Sequence, residues 1–201
     1  AGLKGKLSGS LGYNVRASYG KEDDKALFIN NPDLGNGTNS LEGYEYGNSF
    51  GVTYDDVNTL SVFGELNFAV SETVNLGVSA EFFSYDTTNE AEPWNLPELK
   101  ATLFSNFNIT EKLYGGASLF FVGERMDLLQ RSNPPFEALF VSTETLDAYL
   151  DANVHLGYRV DERLSIFAKG SNLLGDNYEK WLNYPVQGIQ GLLGATYKFD
   201  W

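Results

Sequence analysis

A strict two-residue alternation of apolar and polar side chains is the feature that most limits how this chain can fold. Between residues 146 and 160 the even positions are Leu146, Ala148, Leu150, Ala152, Val154, Leu156, Tyr158 and Val160. The odd positions carry Asp, Asn, His, Arg, Tyr and Gly instead. Successive side chains of a strand point to opposite faces, whereas a helix would scatter both sets around its axis. The pattern therefore predicts a strand with one uncharged face.

The final segment repeats the pattern and ends in aromatics. Its odd positions are Ile189, Gly191, Leu193, Ala195, Tyr197, Phe199 and Trp201, and its even positions are mostly polar. An uncharged outer face with aromatics at the water boundary is typical of membrane-spanning β-barrels. From Leu146 to Leu156 a strand advances ~34 Å, which at a tilt of ~40° covers ~26 Å, close to the apolar band of such a barrel.

The same rule predicts further strands over approximately 3–19, 49–55, 59–70, 73–85, 98–109, 112–124 and 163–172. Their apolar faces carry no charge, whereas their opposite faces carry Lys4, Lys6, Arg16, Glu65, Glu81, Lys100, Lys112, Glu124 and Lys169. A charge facing lipid costs roughly 2–4 kcal/mol at the bilayer midplane, so this exclusion is expected of a barrel wall. The sequence thus predicts an all-β, antiparallel transmembrane barrel with meander topology.

The strand count decides whether such a wall can close on itself. Nine strands are clear, and a short strand over Ala26–Ile29, in the irregular segment 20–48, would be a tenth. A bacterial single-chain barrel has an even number of strands, so ten would allow closure and nine would make the chain part of a larger barrel. Residues 1–201 are expected to form one barrel region in either case.

Connections between the predicted strands fall into two length classes. Those at 71–72, 110–111 and 160–162 are tight, and those at 86–97, 125–145 and 173–188 are long. Outer-membrane barrels have short periplasmic turns and longer extracellular loops, which predicts that the last strand ends in the periplasm. Residues 55–58, predicted as a short turn on the outer side, are an exception to this alternation.

Composition and motifs indicate neither a catalytic centre nor a cofactor or metal site. The net charge of −13 disfavours nucleic acid as a partner, because phosphate binding needs clustered Lys and Arg. The chain has no Cys, and no run of 18 apolar residues that would predict a transmembrane helix. Its one His, His155, is separated by ~14 Å and ~27 Å of strand from Asp151 and Asp147, which is too far for a shared metal. We interpret His155 as a solvated residue of the lumen.

Aromatic side chains outside the apolar faces pose two questions. Trp94, Trp181 and Tyr184 lie in the long loops, where they are candidate ligand contacts, with loop packing or an interfacial belt as the alternative. Five phenylalanines fall on the polar face: Phe63, Phe83, Phe104, Phe120 and Phe167. A wide aqueous channel would not need them, so we expect them to pack against a plug, loops or an opposite wall.

Two stretches resemble a known family. One comprises residues 54–66 and 90–97. The other is 172–188, which begins with Asn-Leu-Leu and contains a Tyr-Pro pair. Both are similar to the C-terminal barrel of Bacteroidetes-type TonB-dependent receptors. The resemblance implies an outer-membrane protein that takes up a small nutrient ligand. Such receptors have about 22 strands and a plugged lumen, so the missing strands and plug are implied partners. It also implies that Tyr197, Phe199 and Trp201 form an insertion signal for the outer-membrane assembly machinery.

Two other interpretations remain open from the sequence. A self-contained small outer-membrane barrel with a structural or adhesive role would show the same alternation. A soluble β-sandwich that acts as a binding module would also alternate, but with its apolar face turned inward.

Overall fold

A computed structural model describes residues 1–31, 50–133 and 138–199, and its regular elements are all strands. They are β1 (Gly2–Lys6), β2 (Leu11–Asn30), β3 (Phe50–Ala69), β4 (Val74–Thr87), β5 (Leu99–Asn108), β6 (Leu113–Val122), β7 (Arg125–Asn133), β8 (Ala138–Leu146), β9 (Tyr149–Arg159), β10 (Leu164–Ser171), β11 (Glu179–Trp181), β12 (Tyr184–Pro185) and β13 (Gln190–Tyr197). No helix in the described ranges is long and apolar enough to cross a membrane.

One antiparallel sheet forms the wall. Its strand order is β13-β10-β9-β6-β5-β4-β3-β2, and β1 pairs with the first part of β2. The hairpin β7–β8 leaves this wall between β6 and β9 and reaches β2 through a single parallel bridge, Asn30 to Leu129. Among the described residues β1 and β13 do not pair, so the sheet is not closed.

The predicted antiparallel wall with one uncharged face is confirmed. We call apolar face the side that carries Leu66, Val78, Leu103, Val154 and Ile166, and polar face the other side. These five side chains are 43–50% exposed. Leu66 pairs with Val78 and Val78 with Leu103, so the face is continuous across strands. A soluble sandwich would bury this surface against a second sheet, and no described residue covers it.

Four tight turns share one local structure. In 7–11, 70–74, 109–113 and 160–164, the first N–H donates to the carbonyl of the fifth residue. The second residue accepts two more N–H groups with its side-chain oxygen, and it is Ser8, Ser71, Thr110 or Asp161. Short side-chain oxygens stabilise such turns because they satisfy backbone donors locally. These turns define the inner end of the wall, and the long connections define its outer end.

The first of these turns corrects the prediction of one strand over 3–19. Ser8 accepts the N–H groups of Ser10 and Leu11 at 3.3 and 3.1 Å, and the chain reverses between β1 and β2. Leu7 and Leu11 lie on either side of the reversal, and both are odd-numbered. The alternation therefore continues in phase through the turn and gives no sign of it.

The turn predicted at 55–58 is wrong, because these residues lie inside β3. Val57 is fully buried and pairs with both Glu22 of β2 and Thr87 of β4. Asp55 is typical of turns, but here its carboxylate binds backbone N–H groups of the neighbouring 88–98 loop. The predicted strand 3–19 is thus two strands, and the predicted strands 49–55 and 59–70 are one. The described wall therefore still has nine strands, and tight and long connections alternate along it.

Residues Ala26–Ile29 are extended as predicted, but they form the outer end of β2 and not a separate tenth strand. A β-bulge separates it from the rest of β2 between Glu22 and Lys25, and Asp24 has a φ of 53°. A bulge adds one residue to its strand, so the side chains beyond it exchange faces. Leu27 and Ile29 consequently turn inward, where they are 1% and 5% exposed. This exchange explains why the segment looks irregular in sequence.

Phenylalanines on the polar face are accommodated by the wall itself. Phe104 lies over Gly77 and Phe167 over Gly194, each directly across a strand pair. The other three also contact wall residues: Phe63 lies under Arg16, Phe83 stacks on Tyr85, and Phe120 meets Tyr149 edge to face. An aromatic ring that covers a cross-strand glycine shields its exposed backbone and fixes the register. These rings therefore need no plug or opposite wall.

The Gly77→Ala variant should unfold more easily than the parent. A Cβ at position 77 would lie 2.1 Å from Cζ of Phe104, so the ring must leave its place over the strand. We expect a loss of about 1 kcal/mol, since overpacking usually costs 1–3 and the ring tip can swing. Gly64→Ala is the control, because nothing lies within 4 Å of a Cβ there. Equal unfolding midpoints in denaturant for the two variants would contradict the prediction.

Candidate ligand-contact site at the outer end

The long connections pack together at the outer end of the wall. Leu27, Ile29, Trp94 and Leu128 form a buried cluster that joins the end of β2, the 88–98 loop and β7. Leu96 and Met126 pack against its edge. Elements far apart in sequence are thus fixed in one assembly above the wall, and this assembly positions the site.

Trp94, a predicted ligand contact, is the largest side chain of this cluster and only 2% exposed. Its Nε1–H donates to Glu90 Oε2 at 2.7 Å, and Thr53 donates to Glu90 Oε1 at 2.6 Å. Asn95 fixes the same loop by donating from Nδ2 to the carbonyl of Phe28 at 2.7 Å. In this structure the Trp94 ring packs the loop against β2 and β7.

Asp55 fixes the start of the same loop. Its carboxylate accepts the backbone N–H groups of Thr88, Asn89 and Glu90 at 2.9–3.1 Å, and the Asn89 side-chain amide at 2.8 Å. Burial alone would raise the pKa of Asp55, but these N–H donors favour the charged form and lower it from 3.8 to about 2. The charged form of Asp55 therefore holds the loop.

The loop should loosen in acid. Because the folded pKa of Asp55 is lowered, its stabilisation is present above pH 3.8 and is lost as the pH falls toward 2. Hydrogen-exchange protection factors of the residue 88–90 amides should fall across this range. Asp55→Asn should show low protection already at pH 7 and little further change in acid. Protection that is independent of pH in the parent chain would contradict this role of Asp55.

The strand β7 fixes the second element of the site, the small hairpin β11–β12. Arg125 donates from Nη2 to the carbonyl of Glu179 at 2.6 Å. Asp127 accepts the N–H of Leu182 at 3.0 Å, and Asn30 donates to the Leu182 carbonyl at 3.1 Å. Arg125 and Asp127 are 5% and 1% exposed, so these bonds are shielded from water.

A recess of about 460 Å³ lies on the polar face beside this hairpin. Its walls include Phe120 of β6, Tyr178 of the 172–178 segment, and the two remaining predicted ligand contacts, Trp181 and Tyr184. Trp181 is 40% exposed and meets Tyr184 edge to face at 6.4 Å. The structure therefore brings Trp181 and Tyr184 together at an accessible site and separates Trp94 from them.

Besides the tyrosine hydroxyls, the polar side chains that line the recess are Asp151, Asn153, Ser171, Asn172, Lys180, Gln187 and Gln190. Asp151 is 3% exposed and accepts the Tyr178 hydroxyl at 3.4 Å, while the Tyr178 ring stacks on Tyr149 with centroids 3.7 Å apart. Burial, followed by the Asp151 carboxylate, raises the pKa of Tyr178 to about 12, so this hydroxyl keeps its proton at neutral pH. Aromatic surfaces with a few fixed polar groups suit the binding of a small molecule.

Arg125, Asp127 and Tyr178 are the site-building residues that sequence reasoning missed. All three lie in segments that read as long loops, where polar residues are ordinary. The one available signal is the alternation within 125–129, where charged Arg125 and Asp127 share the parity of Leu129. That alternation indicates a strand, but it does not indicate what its charged face contacts.

His155 lies exposed on the polar face, with Cε1 close above Gly116. Within the described ranges, no group of three or more His, Asp and Glu side chains could hold a metal ion.

The predicted insertion signal lies at the inner end of the apolar face. Tyr197 and Phe199 are 49% and 72% exposed and meet at a centroid distance of 4.9 Å. Trp201, its third member, lies outside the described residues. The two described aromatics lie where a wall strand would leave the membrane on the side of the tight turns.

Solved structures with the same fold are outer-membrane receptors and transporters. The pyoverdine receptor FpvA of Pseudomonas aeruginosa PAO1 is 13% identical, with a TM-score of 0.64 over 98% of this chain and 29% of the receptor. The copper transporter OprC is 14% identical, with a TM-score of 0.68 over 98% of this chain and 30% of the transporter. The siderophore receptor PirA of Acinetobacter baumannii is 14% identical, with a TM-score of 0.68 over 98% of this chain and 31% of the receptor.

At these identities the likeness establishes the fold alone, which is that of part of an outer-membrane barrel wall. No family model matches the sequence, and no curated protein matches it. The chain spans less than one third of the length of the three solved proteins.

Proposed function

We propose that this chain is the C-terminal part of the barrel wall of a TonB-dependent receptor, located in the bacterial outer membrane, that takes up a scarce nutrient. The observation that carries the proposal is the match of 98% of the chain to part of receptor walls. Lys21, Asp56 and Asp86 lie on the apolar face only at the outer ends of their strands, and from there to the tight turns the face carries no charge, as expected of a surface presented to lipid. The role is transport, with no catalytic step assigned to any residue.

Three observations support a part of a larger barrel over a self-contained small one. The described wall has nine strands, its sheet is open, and it corresponds to under one third of each matched receptor. In lipid each unpaired backbone group costs several kcal/mol, so open edges need partner strands. We propose that further strands pair with these edges and that a plug fills the lumen; in the isolated chain, self-association pairs the edges instead. The motifs at 54–66, 90–97 and 172–188 favour the Bacteroidetes type.

The ligand is proposed to bind at the recess beside β11–β12. Trp181 and Tyr184 supply accessible aromatic surface, and the long-loop end of a barrel faces the medium from which a nutrient arrives. The matched proteins act on pyoverdine, other siderophores or copper, so ferric siderophores and Cu²⁺ are the first ligands to test.

A fractionation and a titration test the proposal. Expressed with a secretion signal in a Gram-negative host, the chain should sediment with outer-membrane vesicles. A siderophore panel and Cu²⁺ should quench tryptophan fluorescence, and Trp181→Phe should lose most of that quenching. Trp94→Phe is the matched control, since this ring is buried and should keep the signal from Trp181. Recovery in the soluble fraction would overturn the receptor assignment, and equal quenching in both variants would overturn the assigned site.

We further propose that Tyr197, Phe199 and Trp201 form the signal read by the assembly machinery. Deletion of residues 199–201 should reduce insertion in cells more than Tyr158→Ser, which removes an exposed aromatic of the same apolar face. Spontaneous insertion into vesicles, without the machinery, should differ little between the two variants. Equal insertion defects in cells would contradict the proposed signal and assign the terminal aromatics a packing role only.

A further inference from the structure

The polar face of β9, β10 and β13 carries positive charge, although the net charge of the chain is −13. Its exposed cations are Arg159 of β9, Lys169 of β10 and Lys198, which directly follows β13. None of the three forms an ion pair within the described ranges. Arg159 donates from Nη1 to the Glu111 carbonyl at 2.9 Å and keeps its other N–H groups for a ligand.

Arg159 and Lys169 approach one row of the wall from opposite directions. This row, which we call the Gly157 row, is Tyr114, Gly157, Phe167 and Gly194, and each residue pairs with the next. From the inner side, Arg159 Cζ lies 4.5 Å from the Tyr114 ring centre, and that ring covers Gly157. From the outer side, Lys169 Nζ lies 5.4 Å from the Phe167 ring centre, and that ring covers Gly194. The two glycines are two strand spacings apart, about 10 Å, so one small molecule can meet both charges.

Negative charge close to the Gly157 row is buried or bound. Among the described residues, Asp151 is the one acid on the polar face of β9, β10 and β13. It is 3% exposed, and its carboxylate accepts the Ala152 N–H at 2.6 Å and the Tyr178 hydroxyl at 3.4 Å. The adjoining inner turns add charges of both signs, which are Glu111, Lys112, Asp161, Glu162 and Arg163. An anion over the row therefore meets two unpaired cations and no exposed carboxylate of these strands.

The Gly157 row lies inward of the ligand recess on the same face. Ser171 borders the recess, and Lys169 lies one step further inward on β10, where it pairs with His155. Lys180 is the cation that lines the recess, and it is exposed. Positive side chains thus follow one another from Lys180 through Lys169 to Arg159, from the outer end of the wall toward the inner turns.

We propose that Arg159 and Lys169 form a binding site for a small oxyanion with two or more charges, such as a polycarboxylate or a polyphosphate. Guanidinium and ammonium groups donate charge-assisted hydrogen bonds to such oxygens, and a guanidinium can donate two in parallel. The site rests on the proposed function, in which the polar face lines the lumen, and it names the charge class of the ligand that moves inward from the recess. A free Cu²⁺ ion would be repelled there.

Titration of the whole chain in nonionic detergent micelles tests the site. Citrate and pyrophosphate are the probes, and acetate and triethyl citrate are the singly charged and uncharged controls, all at one ionic strength. Backbone amide NMR shifts locate the binding, and their concentration dependence gives Kd. We expect the largest shifts at Gly157, Phe167 and Gly194. At least one polyanion should bind about threefold to fivefold more tightly than acetate, as one further exposed ionic contact allows, and the tighter probe assigns the class to carboxylate or phosphate.

Two pairs of substitutions assign the effect to these cations. Arg159→Gln and Lys169→Gln should each weaken binding of the tighter probe about threefold to fivefold, and together about tenfold. Arg16→Gln with Lys4→Gln is the matched control, because it also removes one arginine and one lysine from the polar face. These two lie on β2 and β1, where Lys4 shares a row with Glu65, so binding should be kept.

Three results would overturn the anion site. They are equal Kd values for both polyanions and acetate, an equal loss of affinity in the control pair, and tighter binding of triethyl citrate than of citrate. Recovery of the chain in the soluble fraction would instead refute the receptor role, and it would not alter a Kd measured in micelles. The two failures are therefore distinguishable.

Discussion

The Val154→Arg variant should fail to insert stably into a bilayer, whereas His155→Arg should be tolerated. Val154 lies near the middle of β9 on the apolar face, is 44% exposed, and pairs with Ala117 and Gly170. An arginine at this depth faces hydrocarbon and costs roughly 2–4 kcal/mol in a barrel wall. The neighbouring His155 lies at the same depth on the opposite, polar face, where a charged group meets water or polar protein.

This pair of variants separates membrane burial from general damage to β9. Both introduce the same side chain into the same strand, one residue apart. Denaturant titration in phosphocholine vesicles, followed by tryptophan fluorescence, should show a lowered unfolding free energy for Val154→Arg only. Equal losses, or a chain that folds as a monomer without detergent, would contradict the assignment of the apolar face to lipid.

The wall was predictable because its signal is local and repeated. Residues 146–160 show which face of β9 is uncharged without any knowledge of its partners. The physical constraint is equally local, since each lipid-facing position excludes charge by itself. The presence of each strand and the face on which each side chain lies could thus be predicted from odd and even positions. The two classes of loop followed from the spacing of the strands.

The ends of the strands could be predicted less well, because a turn that keeps the alternation of apolar and polar residues in phase leaves no sign in that alternation. Residues 7–11 keep the alternation in phase, and 55–58 look like a turn although they form part of β3. A better signal was present in the repeated local pattern. Residues 7–11 have the same apolar–Ser/Thr/Asp–two residues–apolar form as 70–74, 109–113 and 160–164. Comparing the turns with one another would have located the β1–β2 reversal.

The site could be predicted only in part, because its residues meet through contacts between distant segments. Trp94 and Trp181 look alike in sequence, since both stand in long polar loops. What distinguishes them is Leu27 and Leu128, which bury Trp94 and are 67 and 34 residues away from it in the chain. A bulge in β2 turns Leu27 inward, so the burial of Trp94 depends on a backbone irregularity that parity cannot show.

Trp94→Ala should destabilise the buried cluster at the outer end of the wall far more than Trp181→Ala. Removal of a buried tryptophan side chain costs about 3–5 kcal/mol, because apolar contacts are lost and a cavity remains. The Glu90 carboxylate also loses the N–H donor that it accepts at 2.7 Å. Trp181 is 40% exposed, so its removal leaves no comparable cavity.

The two variants should differ in where hydrogen exchange increases. In Trp94→Ala, protection should fall in the 88–98 loop, at the end of β2 and in β7, since Leu27 and Leu128 pack on this ring. β11–β12 should follow, because Asp127 of β7 accepts the Leu182 N–H. Trp181→Ala should leave all these amides protected while it weakens ligand binding directly. If Trp94→Ala kept native protection but abolished binding, Trp94 would contact the ligand after all, and the packing role would be wrong.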